Sequence, residues 1–192
     1  MARPGEFPLL SRILHWTMAA LILAMLFIGL GMAASLAHYH QLVAIHRPIG
    51  VLILVLVAVR LVNRLVNPPP PLPADMPLLL KFVAQASHVA LYALMFALPL
   101  VGWGMLSAAR YPIVLFGPLR LPPILPHDVG LYAALRTTHT VLALLLLATF
   151  LAHLGAALTH ALVFRDEVFP SMAPWARRRV RIEAEAEATP EV

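Results

Sequence analysis

The chain has no cysteine, which excludes several classes of site at once. Disulfides, zinc or iron–sulfur sites held by thiolates, and cofactors attached covalently through Cys-x-x-Cys-His all require that residue. Charge is scarce as well: Asp, Glu, Lys and Arg together make up 12% of the 192 residues, and only 9 residues are acidic. A soluble domain is about a quarter charged, so the sequence lacks the polar surface of a soluble protein.

Apolar residues take the place of charge and form segments long enough to cross a bilayer. They account for 61% of the chain, and a membrane helix needs roughly 20 of them in succession. The basic residues, which give a net charge of +5, flank these segments, so we expect the lipid bilayer and not nucleic acid as the partner. We predict an all-α, integral membrane four-helix bundle with spans at about 13–37, 42–62, 82–108 and 137–163.

The spans form one predicted domain, residues 1–170, followed by a polar cytoplasmic tail, residues 171–192, that we expect to be partly disordered. The first apolar stretch is too long for a cleavable signal peptide and predicts a retained helix. Residues 35–41 form a short connection, and a proline-rich linker begins at Asn67. The longest connection, 109–136, contains several prolines and predicts an ordered cap with a short helix near 127–134.

The distribution of Lys and Arg predicts the orientation, because cytoplasmic loops carry an excess of basic residues. One side holds the larger set: Arg3, Arg12, Arg60, Arg64, Lys81, Arg165, Arg177, Arg178, Arg179 and Arg181. The other side holds Arg47, Arg110, Arg120 and Arg136. We therefore expect a multi-pass protein of the plasma (inner) membrane with both termini in the cytoplasm and the 109–136 loop in the periplasm.

Four histidines near the ends of the spans are the candidate functional residues, because an ionisable group inside a membrane is costly. His139 and His153 are separated by 14 residues of one helix, which is almost four turns, so both face the same way about 21 Å apart. By depth, His46 should meet His139 near the periplasmic side, and His15 should meet His153 near the cytoplasmic side. The simpler alternative for each one alone is a hydrogen bond to a backbone carbonyl.

Paired histidines without carboxylate or thiolate neighbours favour haem, whose macrocycle supplies the other four ligands. We predict two non-covalent b-type haems, each held axially by one pair and lying between helices. Imidazole also suits zinc, copper or nickel, so a haem-free metal transporter stays an alternative. His160 matches the depth of His15 as well as His153 does, but it would lie about 31 Å from His139 along the axis, a long distance for electron transfer.

Other basic residues are candidates for supporting roles around the haems. Haem propionates are anionic and suit arginine, so Arg12, Arg47 and Arg136 are predicted propionate partners, with Arg110 and Lys81 as further candidates. His88, His160 and Lys81 are predicted to line a quinone pocket or to contact a propionate. The alternatives are topology determination for the basic residues, packing for His88 and an interfacial helix end for His160.

The segments around these histidines resemble one family. They are Leu14-His15-Trp16-Thr17, Ile45-His46-Arg47-Pro48-Ile49-Gly50, Ser87-His88-Val89-Ala90-Leu91-Tyr92, Thr138-His139-Thr140 and Ala152-His153-Leu154-Gly155. In order and spacing they are similar to the bacterial cytochrome b561 family. The resemblance implies a four-helix di-haem cytochrome that exchanges electrons with quinone, and the same four histidines as ligands to haem iron. It also implies superoxide oxidation as an activity found in the family.

Together these observations predict a respiratory-type electron-transfer protein that passes electrons between a periplasmic donor and ubiquinone or menaquinone. As an enzyme it would be a quinone-linked oxidoreductase of the superoxide:ubiquinone type. The first alternative is a cytochrome b subunit that docks onto a dehydrogenase or hydrogenase as its redox partner protein. The second, weaker alternative is the haem-free metal transporter.

Overall fold

The computed structural model describes residues 7–71, 76–116 and 118–173, and it is a four-helix bundle. The long helices are Leu9–Ala34 (α1), Tyr39–Val66 (α2), Leu78–Ala108 (α3) and Val129–Thr159 (α4). A π-helical turn, His160–Phe164, extends α4, and a short helix, Val168–Met172 (α5), follows it. Residues 174–192, most of the predicted tail, lie outside the described residues.

Each long helix is long enough and apolar enough to cross a membrane, which confirms the predicted four-helix membrane bundle. The helices contain 26 to 31 residues, or about 39 to 47 Å at 1.5 Å per residue, and so extend beyond a hydrocarbon core of ~30 Å. The excess length explains why each helix begins three to eight residues before the predicted span.

The largest boundary difference is at α4, which begins at Val129 and not near residue 137. Asp128 is the N-cap, and its carboxylate Oδ1 accepts a hydrogen bond of 2.7 Å from the backbone N–H of Leu131. This contact satisfies one of the free N–H groups at the start of the helix. The short helix predicted near 127–134 is therefore the beginning of α4 and not a separate element.

A β-hairpin caps the end of α3. Strands Ile113–Phe116 (β1) and Leu119–Leu121 (β2) pair antiparallel, with Ile113 opposite Leu121. The chain after β2 is held against α3 by two hydrogen bonds: Trp103 Nε1 donates to the carbonyl of Pro122 at 2.9 Å, and the N–H of Ile124 donates to Ser107 Oγ at 3.1 Å. The cap is thus an ordered extension of the bundle.

The apolar core lies at mid-depth. Helix α1 packs on α2, α2 on α3 and α3 on α4. The buried core side chains come from all four helices: Met18, Ile22, Ile53, Val57, Leu94, Met95 and Leu146. On α4 the core residue Leu146 stands halfway between His139 and His153, so polar groups lie on both sides of the core.

Contacts outside the core define the two ends of the bundle. One end of the bundle holds the start of α1 and helix α5, and we call it the terminal end. There Asn63 Nδ2 donates to Ser11 Oγ at 2.7 Å and joins the end of α2 to the start of α1. Trp16 Nε1 donates to the carbonyl of Met172 at 3.1 Å and brings α5 to the same end. At the hairpin end, Arg47 Nη1 donates to the carbonyl of Pro112 at 3.5 Å. The helices therefore alternate in direction, and the described members of the two predicted sets of basic residues fall at opposite ends; Arg3, Arg177, Arg178, Arg179 and Arg181 lie outside the described residues.

Candidate cofactor site

The histidine pair at the hairpin end joins α2 and α4. The rings of His46 and His139 have their centres 6.2 Å apart, with an angle of 66° between the ring planes. Nδ1 of His46 is buried and has no hydrogen-bond partner among the residues that the structure describes. A polar atom left unsatisfied in a membrane costs several kcal/mol, so this pair calls for a group that the chain does not supply.

The second pair, at the terminal end, joins α1 and α4 with nearly the same geometry. The ring centres of His15 and His153 are 6.3 Å apart, again at 66°. A guanidinium lies beside this pair, because Arg60 Nη2 is 2.9 Å from His15 Nδ1. Both pairings that were expected from depth are therefore formed, and both share α4.

These separations fit one metal ion held axially between two imidazoles. An imidazole nitrogen lies ~2 Å from a first-row metal ion, and ring bonds of about 1.33 Å place that nitrogen ~1.1 Å from the ring centre. Two rings on opposite sides of one ion then have centres about 6.2 Å apart. The observed 6.2 and 6.3 Å agree with that value.

His88 is a third imidazole at the terminal end, and the distance between ring centres distinguishes it from the four proposed ligands. Its centre lies 5.4 Å from that of His153, at 64°. This is shorter than two metal–nitrogen bonds in line require, so His15 is the better partner of His153. His88 therefore packs against the imidazole of His153.

Within the described part of the chain, no three His, Asp or Glu side chains converge on a point where a metal ion could lie. A bare transition metal usually takes three or four protein ligands. Pairs of imidazoles instead suit a metal that brings its own equatorial ligands, as haem iron does. The donor sets at both ends therefore fit haem and count against a transporter site.

Gly102 on α3 makes room for the hairpin-end pair. A Cβ atom at this position would lie 3.3 Å from Cε1 and 3.5 Å from Nδ1 of His139. The missing side chain allows the imidazole to lie directly against the backbone of α3. Gly29 differs in this respect, since a Cβ atom there would meet nothing within 4 Å.

A cluster of basic and aromatic side chains surrounds the terminal-end pair. From the sequence, its two arginines were expected only to determine the orientation of the helices in the membrane. The guanidinium carbons of Arg60 and Arg64 each lie 5.7 Å from the centre of the Tyr92 ring. Neither arginine has an ion pair with an acidic side chain among the described residues. The one signal in the sequence was the position of Arg60 inside an apolar span.

The predicted propionate partners differ in their surroundings. Arg47 directly follows His46; its side chain is half-buried, and its Nε atom has no hydrogen-bond partner among the described residues. Arg12 is half-buried on α1, three residues before His15. Arg136 is exposed on α4, three residues before His139. Arg47 is therefore the best placed of these three at the hairpin end.

His160 stands apart from the two ring pairs and has its own partner. Its Nδ1 atom is 2.6 Å from Oδ2 of Asp166, and its ring packs on Phe164 with centres 5.2 Å apart. The π-helical turn that begins at His160 makes this contact possible, and such turns are frequent at functional sites. Lys81 lies half-buried in the first turn of α3. The alternative of His160 as a haem ligand gains nothing from this geometry.

Comparison with known proteins gives a consistent family. Residues 6–175 match the family described as prokaryotic cytochrome b561. The chain is 30% identical over 174 residues to cytochrome b561 homolog 2 of Escherichia coli (strain K12), covering 88% of this chain and 92% of that protein. It is also 30% identical over 163 residues to the probable superoxide oxidase CybB of Yersinia pestis, covering 84% of this chain and 92% of that protein.

Proposed function

Because the chain belongs to the prokaryotic cytochrome b561 family, we propose that it carries two b-type haems and passes electrons across the bilayer to quinone. Membrane electron transfer through b-type haem is the activity of the family. The observation that carries the finer proposal is the pair of matched ring contacts, His46–His139 and His15–His153, at 6.2 and 6.3 Å.

The four histidines are the residues that would hold the iron. When bound, haem would supply one-electron chemistry. The chain's own contribution is alignment: α4 presents both of its imidazoles on one face, about 21 Å apart. The apolar core between them keeps water out of the region that separates the pairs.

Arginine side chains at each end are suited to the haem propionates. At the terminal end these are Arg60 and Arg64, with Arg12 nearby on α1; at the hairpin end they are Arg47 and, farther out, Arg136. A guanidinium can hold a carboxylate with two hydrogen bonds. Such pairing would neutralise charges that are expensive inside a membrane.

Quinone is proposed at the terminal end, near His88, His160 and Lys81. Quinone reduction takes up protons. The imidazole of His160, in contact with the carboxylate of Asp166, would pass a proton to the quinone at the membrane edge. His88 lies against His153 and is placed to orient that ring. The quinone, ubiquinone or menaquinone, would accept electrons arriving from the His15–His153 pair.

The donor would act at the hairpin end, for which we propose a periplasmic position, with both termini in the cytoplasm and the protein in the inner membrane. The excess of basic residues at the other end supports this orientation. The printed name of the Yersinia pestis relative supports superoxide as one donor. Superoxide is an anion, and Arg110 and Arg120 of the cap would attract it through electrostatic steering. The overall reaction is then superoxide oxidation coupled to ubiquinone reduction.

The first experiment is a dithionite-reduced minus air-oxidised absorbance spectrum of the purified protein, with haem quantified per chain. We expect a b-type α band and two haems per chain. His46→Ala and His139→Ala should each remove the same haem, and His15→Ala and His153→Ala the other. His40→Ala, in an exposed residue whose ring contacts Tyr39, is the control and should retain both. A protein that is colourless despite ample haem supply would refute the proposal.

A further inference from the structure

The cap at the hairpin end forms a cleft, and the electron-transfer proposal uses only the positive charge of its two arginines, Arg110 and Arg120. It has a volume of about 440 Å³ and lies between the end of α3, the hairpin and the proline-rich segment after β2. Small-molecule sites typically have volumes of about 300 to 1,000 Å³. The cleft is therefore far larger than a two-atom anion such as superoxide requires.

The lining combines apolar faces with two guanidinium groups. Trp103, Tyr111 and four prolines provide flat apolar surface, and Arg110 and Arg120 provide charge. The polar groups of the inner wall are already engaged, because Trp103 Nε1 and Ser107 Oγ make the hydrogen bonds that hold the cap. The two arginines have no hydrogen bond or ion pair through their side chains within the described residues, so they are available to a ligand.

The backbone at Arg110 points to a specific use of its side chain. Arg110 has φ 58°, a left-handed conformation at the end of α3 where glycine is the usual residue. Arg165 is the matching case at the other end of the bundle, with φ 52°, and its Nε donates to the helix carbonyl of Leu162 at 3.3 Å. Arg165 thus caps its own helix, whereas Arg110 lines the cleft.

No acidic side chain is among the described residues that line the cleft. Asp128 is the single acidic residue between 109 and 136, and its carboxylate is committed to the N-terminus of α4. A ligand with a carboxylate or phosphate group would meet both guanidiniums, and a planar ring would lie against Trp103 and the prolines. The chemistry of the lining is that of a site for an aromatic anion.

The cleft shares its wall with the hairpin-end histidine pair. Trp103 lines the cleft, and the preceding residue, Gly102, lies against His139. On the other side, Arg47 follows His46 and donates to the carbonyl of Pro112, which also lines the cleft. A molecule in the cleft is therefore one residue away from each of the two proposed ligands.

We propose that this cleft binds a small aromatic carboxylate and that this anion is an electron donor to the hairpin-end pair. The electron step rests on the function proposed above, whereas the binding step does not. In that step a phenolic carboxylate would lose one electron and one proton and leave as a phenoxyl radical, and the one-electron acceptor would be the haem that His46 and His139 would hold. The proton goes to water at the open side of the cleft.

Binding is tested first, with probes that cannot react. Trimethoxybenzoate and its uncharged methyl ester are titrated into the purified holoprotein by isothermal calorimetry. We expect the anion to bind at least ~10-fold more tightly than the ester, since a hydrogen bond to a charged group contributes about 1.5 to 3 kcal/mol. Equal binding of the two probes, or no binding of the anion, overturns the proposal.

Charge variants show whether the cleft itself is responsible. Arg110→Asn tolerates the left-handed backbone, and Arg120→Gln lies in a short exposed strand; each should weaken binding of the anion ~10-fold or more while the haem spectrum stays unchanged. The controls are His40→Ala, an exposed residue at the same end but outside the cleft, and Arg165→Asn, which also has a left-handed backbone. If either control weakens binding as much, general surface charge explains the effect and the site is wrong.

Two further arms identify the source of the anion and the electron step. The titration is repeated in nanodiscs of phosphatidylcholine with and without phosphatidylglycerol; if the anionic lipid abolishes binding, the occupant is a lipid headgroup and the proposal fails. Gallate is then mixed anaerobically with oxidised protein, and haem reduction should be ~10-fold slower in Arg110→Asn and Arg120→Gln but not in the controls. Unchanged rates would remove the donor role. A haem-free protein would refute the function above and leave the binding result intact.

Discussion

The contact between Gly102 and His139 allows a quantitative test of the hairpin-end site. In Gly102→Ala the new Cβ atom would lie 3.3 Å from Cε1 of His139, whereas carbon atoms pack best at about 3.5 to 4.0 Å. The ring must move by a few tenths of an ångström or rotate away from its preferred orientation. An off-rotamer side chain costs about 0.5 to 1.5 kcal/mol.

That cost should appear at the cofactor and not in the fold. Alanine is about 0.8 to 1 kcal/mol more favourable than glycine inside a helix, so the substitution itself does not destabilise α3. A loss of 0.5 to 1.5 kcal/mol in the alignment of His139 corresponds to an affinity for one haem that is roughly 2- to 12-fold lower. The haem at the His15–His153 pair should be unaffected.

The assay is haem per chain after titration with limiting haem, combined with the electron paramagnetic resonance signals of the two low-spin ferric irons. Those signals are sensitive to the orientation of axial imidazole planes, so one of the two should shift. Gly29→Ala is the matched control, because its Cβ atom meets nothing within 4 Å. If Gly102→Ala and Gly29→Ala gave identical titrations and spectra, His139 would not be a ligand in the arrangement described.

Three further predictions address the terminal end and the topology. Asp166→Asn should slow quinone reduction severalfold in a stopped-flow assay, with both haems retained, because His160 loses its carboxylate partner. An unchanged rate would show that the His160–Asp166 contact has no part in quinone reduction. Arg60→Gln should lower the midpoint potential of one haem by tens of millivolts, since 59 mV corresponds to a tenfold change in a one-electron equilibrium. Arg165→Asn is the control, because the Arg165 side chain donates to the carbonyl of Leu162; equal shifts in both variants would contradict the prediction. Because the chain has no cysteine, single cysteines can be introduced and labelled with an impermeant maleimide. Leu36→Cys, at a position that is 91% exposed, should be labelled on intact spheroplasts, whereas Leu78→Cys, at a position that is 84% exposed, should be labelled only after lysis. The reverse pattern would invert the topology.

The sequence predicted the histidine pairs because simple periodicity determines them. His139 and His153 lie on one helix at a separation close to a whole number of turns, and depth selects His46 as the partner of His139. For His15, depth leaves both His153 and His160 as partners. The choice of His153 over His160 was open in the sequence, and the ring distance of 6.3 Å to His15 favours His153.

The sequence did not predict features that depend on local hydrogen bonding. The start of α4 was placed too late, although Asp128 is a recognisable N-cap signal, because the helix near 127–134 was predicted as a separate element of the cap. The π-helical turn after Thr159 and the contact of His160 with Asp166 have no periodic signature. The cleft in the cap depends on how Trp103 and Ser107 hold the chain after β2, and only the folded structure shows this.

The charges at the terminal end provide an argument for haem that is independent of the histidines. Arg60 lies on an apolar helix beside His15, and Arg64 lies one turn later against the same Tyr92 ring. Two guanidiniums inside a membrane protein require anionic partners, and among the described residues no acidic side chain pairs with either of them. A haem brings two propionates, which match two arginines in number and charge. Two arginines without acidic partners would be unfavourable in a membrane bundle that binds no anion, but they are expected in one that binds the propionates of a haem.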